Sequence, residues 1–252
     1  ILLSSSGSVQ GANVTAASTT SLYVTGTPTG TLQTLEVIRY TGTTPGTANF
    51  TAPYRGAVLT DDTTNKKITL GYTASAISLG DAGITWDAGT TTGWTGSSDT
   101  KFYWGDSVTF GNVTAGRTIT LNGSLAPSSV TVSNANAQQI TFSSGTAGTI
   151  VGFGSLTVSG AGDLQINNAN SYLGGTSVSA GRLRVNNANA LGAGRVDITG
   201  TGTTGGQVYT VGSVTLANNF YISGYGGNAV DATQRGAIRL DTTSTLSGNV
   251  TL

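Results

Sequence analysis

The chain has 252 residues, among them 38 Gly, 45 Thr and 26 Ser, with 11 basic and 11 acidic side chains and no His, Cys or Met. The missing His and Cys exclude imidazole acid–base chemistry, thiol nucleophiles, disulfides and Cys-type metal sites. Few strong helix formers and a net charge of zero without basic blocks exclude a helix bundle, an ordinary α/β enzyme and a nucleic-acid footprint.

Apolar residues make up 37% and lie in short clusters from end to end, so the chain is not a disordered tail. The opening Ile1-Leu-Leu3 is too short for a signal-peptide core, and no run of about 18 apolar residues exists. The last residues, Gly248 to Leu252, read as a strand without a closing turn, so a piece of a longer chain is expected. Leu35-Glu-Val-Ile-Arg-Tyr40 is a long β-type run. Asp61 to Leu70, with Lys66 and Lys67 in its middle, reads as strand, polar turn, strand, hence a hairpin. Residues 84–110 hold all three Trp (Trp86, Trp94, Trp104), an aromatic boundary or core plug between modules.

From there, clusters such as Val108-Thr-Phe110, Val130-Thr-Val132, Ile140-Thr-Phe142 and Leu156-Thr-Val158 alternate apolar, polar, apolar. Such strands bury one face. Leu164-Gln-Ile-Asn-Asn-Ala-Asn170 recurs nineteen residues on as Leu183-Arg-Val-Asn-Asn-Ala-Asn189, with a looser echo in Val132-Ser-Asn-Ala-Asn136. Leu156, Thr176, Val196 and Val214 open a second series with steps of 20, 20 and 18. Two strand types interleaved at this period predict a parallel β-solenoid with coils of roughly 18–20 residues, about twelve of them, in a rod of roughly 60 Å. Asn167 with Asn186, and Asn168 with Asn187, then occupy equivalent corners and form a structural Asn ladder.

Candidate chemistry is thin. Gly200-Thr-Gly-Thr-Thr-Gly205 matches a dinucleotide-binding pattern but is followed by a strand, so it reads as a turn. Of the acidic residues Asp61, Asp62, Asp81, Asp87, Asp99, Asp106, Asp163, Asp197, Asp231 and Asp241, only the first two adjoin, and neighbours in a strand face opposite ways. That is poor material for a paired-carboxylate site. Gly160-Ala-Gly-Asp163 is too short for a calcium roll, leaving only a calcium site from scattered Asp and carbonyls. The Thr-x-Thr stretches at 25–31 and 118–120 do not recur with the coil, so an ice-binding face is not expected. Five Asn-x-Ser/Thr sequons, at Asn13, Asn49, Asn112, Asn122 and Asn249, are chiefly a consequence of the Thr content. Arg182, Arg184 and Arg195 are the one basic concentration, with Arg182 and Arg184 on one outward face, read as a solvated side of the coil, the alternative being a contact for carbohydrate or an acidic polymer.

The stretch 154–195 contains Asn170-Ser-Tyr-Leu-Gly-Gly-Thr176, Gly181-Arg-Leu183 and Asn189-Ala-Leu-Gly192. It closely resembles the autotransporter-associated β-strand repeat. Val37 to Gly42, Pro53 to Gly56, Thr64 to Leu70, Thr85 to Asp87 and Gly105 to Phe110 look like further parts of the large surface proteins that carry it. The resemblance implies an all-β, right-handed parallel β-helix, secretion across a Gram-negative envelope and a role at the cell surface. The domains expected are a closing cassette over 1–84, carrying a small hairpin or irregular module, an aromatic junction over 85–110, and the β-helix over 111–252. The function expected is a non-enzymatic extracellular stalk, fibre or filament segment with no catalytic residue, metal or cofactor. Its partners are further cassettes or copies of itself, and no nucleic acid. The alternatives are a passenger adhesin for surface glycans, for which the Trp86–Trp104 region is the candidate face, and a polysaccharide-active β-helix enzyme.

Overall fold

The computed structural model describes residues 2–3, 9–11, 20–24, 33–48, 50–79, 85–135, 137–201, 204–224, 226, 236–241 and 243–252. Asp81, Asp231, Asn13, Asn49, Asn136 and the Thr-rich 25–31 stretch lie outside these residues. Among the described residues every regular element is a β-strand. No helix there is long and apolar enough to cross a membrane.

From Ala76 onward the chain winds in coils with three faces. The first face stacks Ala76–Leu79, Ser107–Phe110, Ser129–Val132, Ser155–Val158, Thr176–Val178, Val196–Thr201, Phe220–Ser223 and Val250–Thr251 in parallel. The second stacks Thr85–Trp86, Arg117–Leu121, Gln139–Ser144, Asp163–Ile166, Arg182–Val185, Gln207–Thr210 and Ile238–Arg239. The third is short. It holds Ser124–Leu125 on Thr149–Ile150 and Thr215–Leu216 on Thr245–Leu246. Between those pairs its ladder is bridged by backbone bonds such as Ser171 N–H to Ile150 O and Ala193 N–H to Tyr172 O, both 2.9 Å. The core is the tube enclosed by the three faces. Ser107–Phe110, Ser129–Val132, Ser155–Val158 and Arg182–Val185 alternate half-exposed and buried, so each sends two apolar side chains inward.

The sequence repeats map onto this register. Leu164 pairs with Leu183, and Leu156 with Thr176 and then Val196. Val214 does not continue the series. Val196 pairs instead with Phe220, because the Val196–Thr201 strand turns back on Thr204–Gly205 and lengthens that coil. Val214 precedes a third-face strand. Coil length therefore varies: Val108 meets Val130, Val130 meets Leu156, and Phe220 meets Val250. The eight parallel strands of the first face, from Ala76 to Thr251, span roughly 34 Å at the usual strand spacing.

Ahead of Ala76 the pairing is mixed: Leu2–Leu3 on Tyr23–Val24, Val9–Gly11 on Gln33–Tyr40 and Thr20–Ser21 on Phe50–Thr51 are parallel, and a hairpin sheet follows. Gln33–Tyr40 and Arg55–Asp62 flank Lys67–Thr73 in antiparallel pairing. Their hairpin tip is the predicted 61–70 turn, where Asp62 accepts both the backbone and side-chain N–H of Asn65. The first edge of the coil is covered rather than open. Trp94–Thr95 pairs antiparallel with Ala76–Leu79, and Trp86, Trp94, Phe102, Phe110 and Phe142 fill the tube behind it, with ring centroids 5.1–6.2 Å apart. An edge strand left bare there would be a template for foreign strands. Trp104 is separate from this plug. It packs edge-on to Tyr54 at 5.9 Å, in the seam with the N-terminal unit.

Candidate functional site

The cassette 154–195 is where a functional motif would be sought, and its polar residues point into the fold. Asn170 is buried; its Oδ1 accepts the Ile150 N–H at 2.9 Å and its Nδ2 donates to Ala190 O at 2.8 Å. One amide thus ties its own coil to the coils on both sides. Tyr172 lies wholly inside, its hydroxyl 2.6 Å from Thr176 Oγ1, and burial pushes its ionisation well above the usual phenol range. A Cβ on Gly174 would stand 2.6 Å from the carbonyl oxygens of Phe153 and Gly154. Gly181 has φ +63°, and a Cβ there would stand 2.3 Å from those of Gly160 and Gly162. Each position allows the close approach of the coil before it.

Of the predicted ladder, Asn167 and Asn186 are stacked, with Asn186 Nδ2 donating to Asn167 Oδ1 at 3.3 Å. Asn168 and Asn187 are not joined to each other. Asn168 turns inward and donates to Asn170 Oδ1 at 2.6 Å, while Asn187 accepts the Asn189 N–H at 2.9 Å. Sequence reasoning passed over the amides that bridge coils from inside: Asn170, Asn134 (to Gln138 O and Asp163 O) and Asn218 (to Gly192 O and Gly194 O). The 132–136 echo misleads, because Val132 lies on the first face, paired with Val158. The signal that could have found Asn170 was its place two residues before a Tyr that the pattern puts inside.

The carboxylates are dispersed. Asp61 is held by Tyr40 and Thr44, Asp87 by Thr91, Asp197 by Arg195 and Asp241 by the Tyr209 hydroxyl. Among the described residues no three acidic groups converge as a metal site would need. Gly200 and Gly205 face each other across a hairpin, with no helix N-terminus beside them. In the Trp86–Trp104 region all three indoles are buried, and Tyr103 is the aromatic that reaches the surface.

Two charged assemblies stand out, the first unread in the sequence and the second read only as Arg182 and Arg184. In the seam, Arg55 binds Asp99 and, at 2.7 Å, the fully buried Asp106, lies 4.7 Å from the Tyr103 ring centre and donates to Lys101 O. Asp106 also accepts the N–H groups of Ser75 and Tyr103. Burial nevertheless pushes its carboxyl above the ordinary value. This clasp fastens the N-terminal hairpin to the first coil. On the second face, Asp163, 6% exposed, binds Arg182 at 2.6 Å and stands 3.6 Å from Arg184. The guanidiniums of Arg182, Arg184 and Arg239 lie 5.8, 5.6 and 4.5 Å from the centre of the Tyr209 ring. Arg195, grouped with the first two by sequence, stands on the first face, paired with Asp197 at 2.9 Å.

An all-β coil of stacked parallel strands whose repeat residues bridge neighbouring coils is a repeat-built solenoid. The passenger-associated-transport-repeat family matches residues 156–185, within the stretch that carries the resemblance read from the sequence. The match supports an autotransporter-associated repeat, a kind of repeat that points to a secreted or surface passenger segment. No curated protein and no solved structure matches the chain.

Proposed function

We propose that the chain is a non-enzymatic segment of a secreted passenger, a right-handed β-helical rod that acts as a cell-surface stalk or fibre. The observation that carries this reading is the use of the repeat's own residues. Asn170, Tyr172, Gly174, Thr176 and Gly181 are each engaged with backbone or core in their own or neighbouring coils. Right-handed winding follows from the handedness of parallel strand crossovers. The Asn167–Asn186 pair acts as a corner bond between coils, and the mechanical unit is the stack itself, whose hydrogen bonds run along the rod. Further cassettes, or other copies, continue the stack through parallel pairing of the kind that joins the first-face strands.

Electron microscopy and fibre diffraction of the native surface material test this. Rods or fibres with an axial repeat of about 4.8 Å are expected. Compact particles without that repeat would refute it. Rods tethered singly to cells define a stalk, and long uniform fibres define an end-to-end polymer.

A further inference from the structure

We propose that the outward surface of the second face, from Gln165 to Arg239, binds a linear acidic polysaccharide lying along the rod. This goes beyond the stalk reading and does not depend on it. The pairing register sets Gln165, Arg184, Tyr209 and Arg239 in one outward column, and beside it Arg182 between the buried Asp163 and Gln207. Successive strands lie about 4.8 Å apart, so a chain running along the axis meets one planar polar side chain per coil.

The protein has no net charge, yet among the described residues this strip gathers three guanidiniums against two carboxylates. Asp163 is buried beneath Arg182, and its charge is answered there. Arg184 reaches the same carboxylate only at 3.6 Å, beyond hydrogen-bond length, and Arg239 has no carboxylate within ion-pair distance among the described residues. Both retain open donor groups. Both are also held in place, flanking the Tyr209 ring, whose hydroxyl is anchored on Asp241 at 3.1 Å. A guanidinium held against a ring loses little freedom on binding and offers a flat fork to a carboxylate or sulfate.

Beside them the amides are partly engaged in the same way. Gln165 donates to Asn167, and Asn186 donates to that same oxygen, leaving the Gln165 and Asn186 carbonyls to accept sugar hydroxyls. Two open guanidiniums among amides fit a ligand whose sugars offer anionic groups and hydroxyls together. A nucleic acid would call for a denser run of cations.

The test is calorimetric titration of the chain with polygalacturonate, dextran sulfate, neutral dextran and duplex DNA at two salt concentrations. Compared with it are the double variant Arg184→Gln/Arg239→Gln and the first-face variant Arg195→Gln, with circular dichroism as the check on folding. Binding of an acidic polysaccharide that weakens with salt is expected, and it should fall at least tenfold in the double variant while Arg195→Gln leaves it unchanged. Each lost charged hydrogen bond corresponds to about that factor. Preference for polygalacturonate or for dextran sulfate identifies the anionic group as carboxylate or sulfate. The proposal is overturned if neither acidic chain binds, if neutral dextran or DNA binds as tightly, or if the folded double variant binds like the parent.

Discussion

Replacing Asn170 by Ala tests whether the coil stack depends on its internal amides. The side chain is 5% exposed and satisfies one backbone N–H, of Ile150, and one backbone carbonyl, of Ala190. Truncation leaves both without their partner in a buried place. Each orphaned group costs about 1–3 kcal/mol, and admission of one water would recover part, so a net loss of about 3 kcal/mol is the expectation. A solenoid opens locally, so a global midpoint alone would dilute the effect. The sharper assay is native-state hydrogen exchange at the Ile150 amide, whose protection should fall roughly a hundredfold. Asn167→Ala is the control. Asn167 belongs to a half-exposed corner network and receives its cross-coil bond, from Asn186, at 3.3 Å, so its loss should cost under about 1 kcal/mol. If Asn170→Ala exchanges like the parent, or Asn167→Ala costs as much, the view that inner amides outweigh corner amides is wrong.

Gly181→Ala should destabilise far more than Gly46→Ala. Both glycines have positive φ, which costs a non-Gly residue about 1–2 kcal/mol, but only at Gly181 would the new methyl strike two carbonyl oxygens. Urea midpoints of the two variants measure the difference. Arg55→Ala strands the buried Asp106 carboxylate and should cost about 3–5 kcal/mol, read from Trp fluorescence during denaturation, whereas Arg55→Ala combined with Asp106→Asn should recover part of that. Acid should act oppositely on two Asp. The Asn65 hydrogen bonds hold Asp62 below its ordinary 3.8, so its contribution is present above that value and lost as pH falls through the lower folded value. Burial raises Asp106, so its contribution is full below 3.8 and lost as pH rises through the higher folded value. Thermal melts from pH 2 to 6 should therefore show Asp62→Asn flattening the acid limb and Asp106→Asn steepening it.

What the sequence revealed follows from how each feature is encoded. Leu164 and Leu183 were readable as stacked because nineteen residues separate two nearly identical strings, and the register honours that spacing. The hairpin at 61–70 was readable because its strands alternate around a short polar turn. Val214 was misplaced because an inserted hairpin changes the coil length without disturbing the local apolar pattern that flags a strand. The Arg55–Asp106 clasp was invisible for a different reason. Its partners lie 51 residues apart on two units, and a single ion pair across a seam leaves no periodic trace. Arg239 joined Arg184 only once the register skipped the long coil between Thr210 and Ile238.

One strand shows how these two kinds of information are separated. In Arg182–Val185, Leu183 and Val185 are wholly buried and are the residues that the repeat specifies, while Arg182 and Arg184 point outward. Alternation along the strand makes the two sets nearly independent, since a substitution at Arg184 need not disturb Leu183. The stack fixes the inward positions through packing and close carbonyl contacts. The outward columns are bound only by solubility and by whatever they touch. On the polysaccharide proposal, the Arg–Tyr–Arg column, unlike the outward Ser and Thr of Ser107–Phe110, Ser129–Val132 and Ser155–Val158, is where binding is added to the stack.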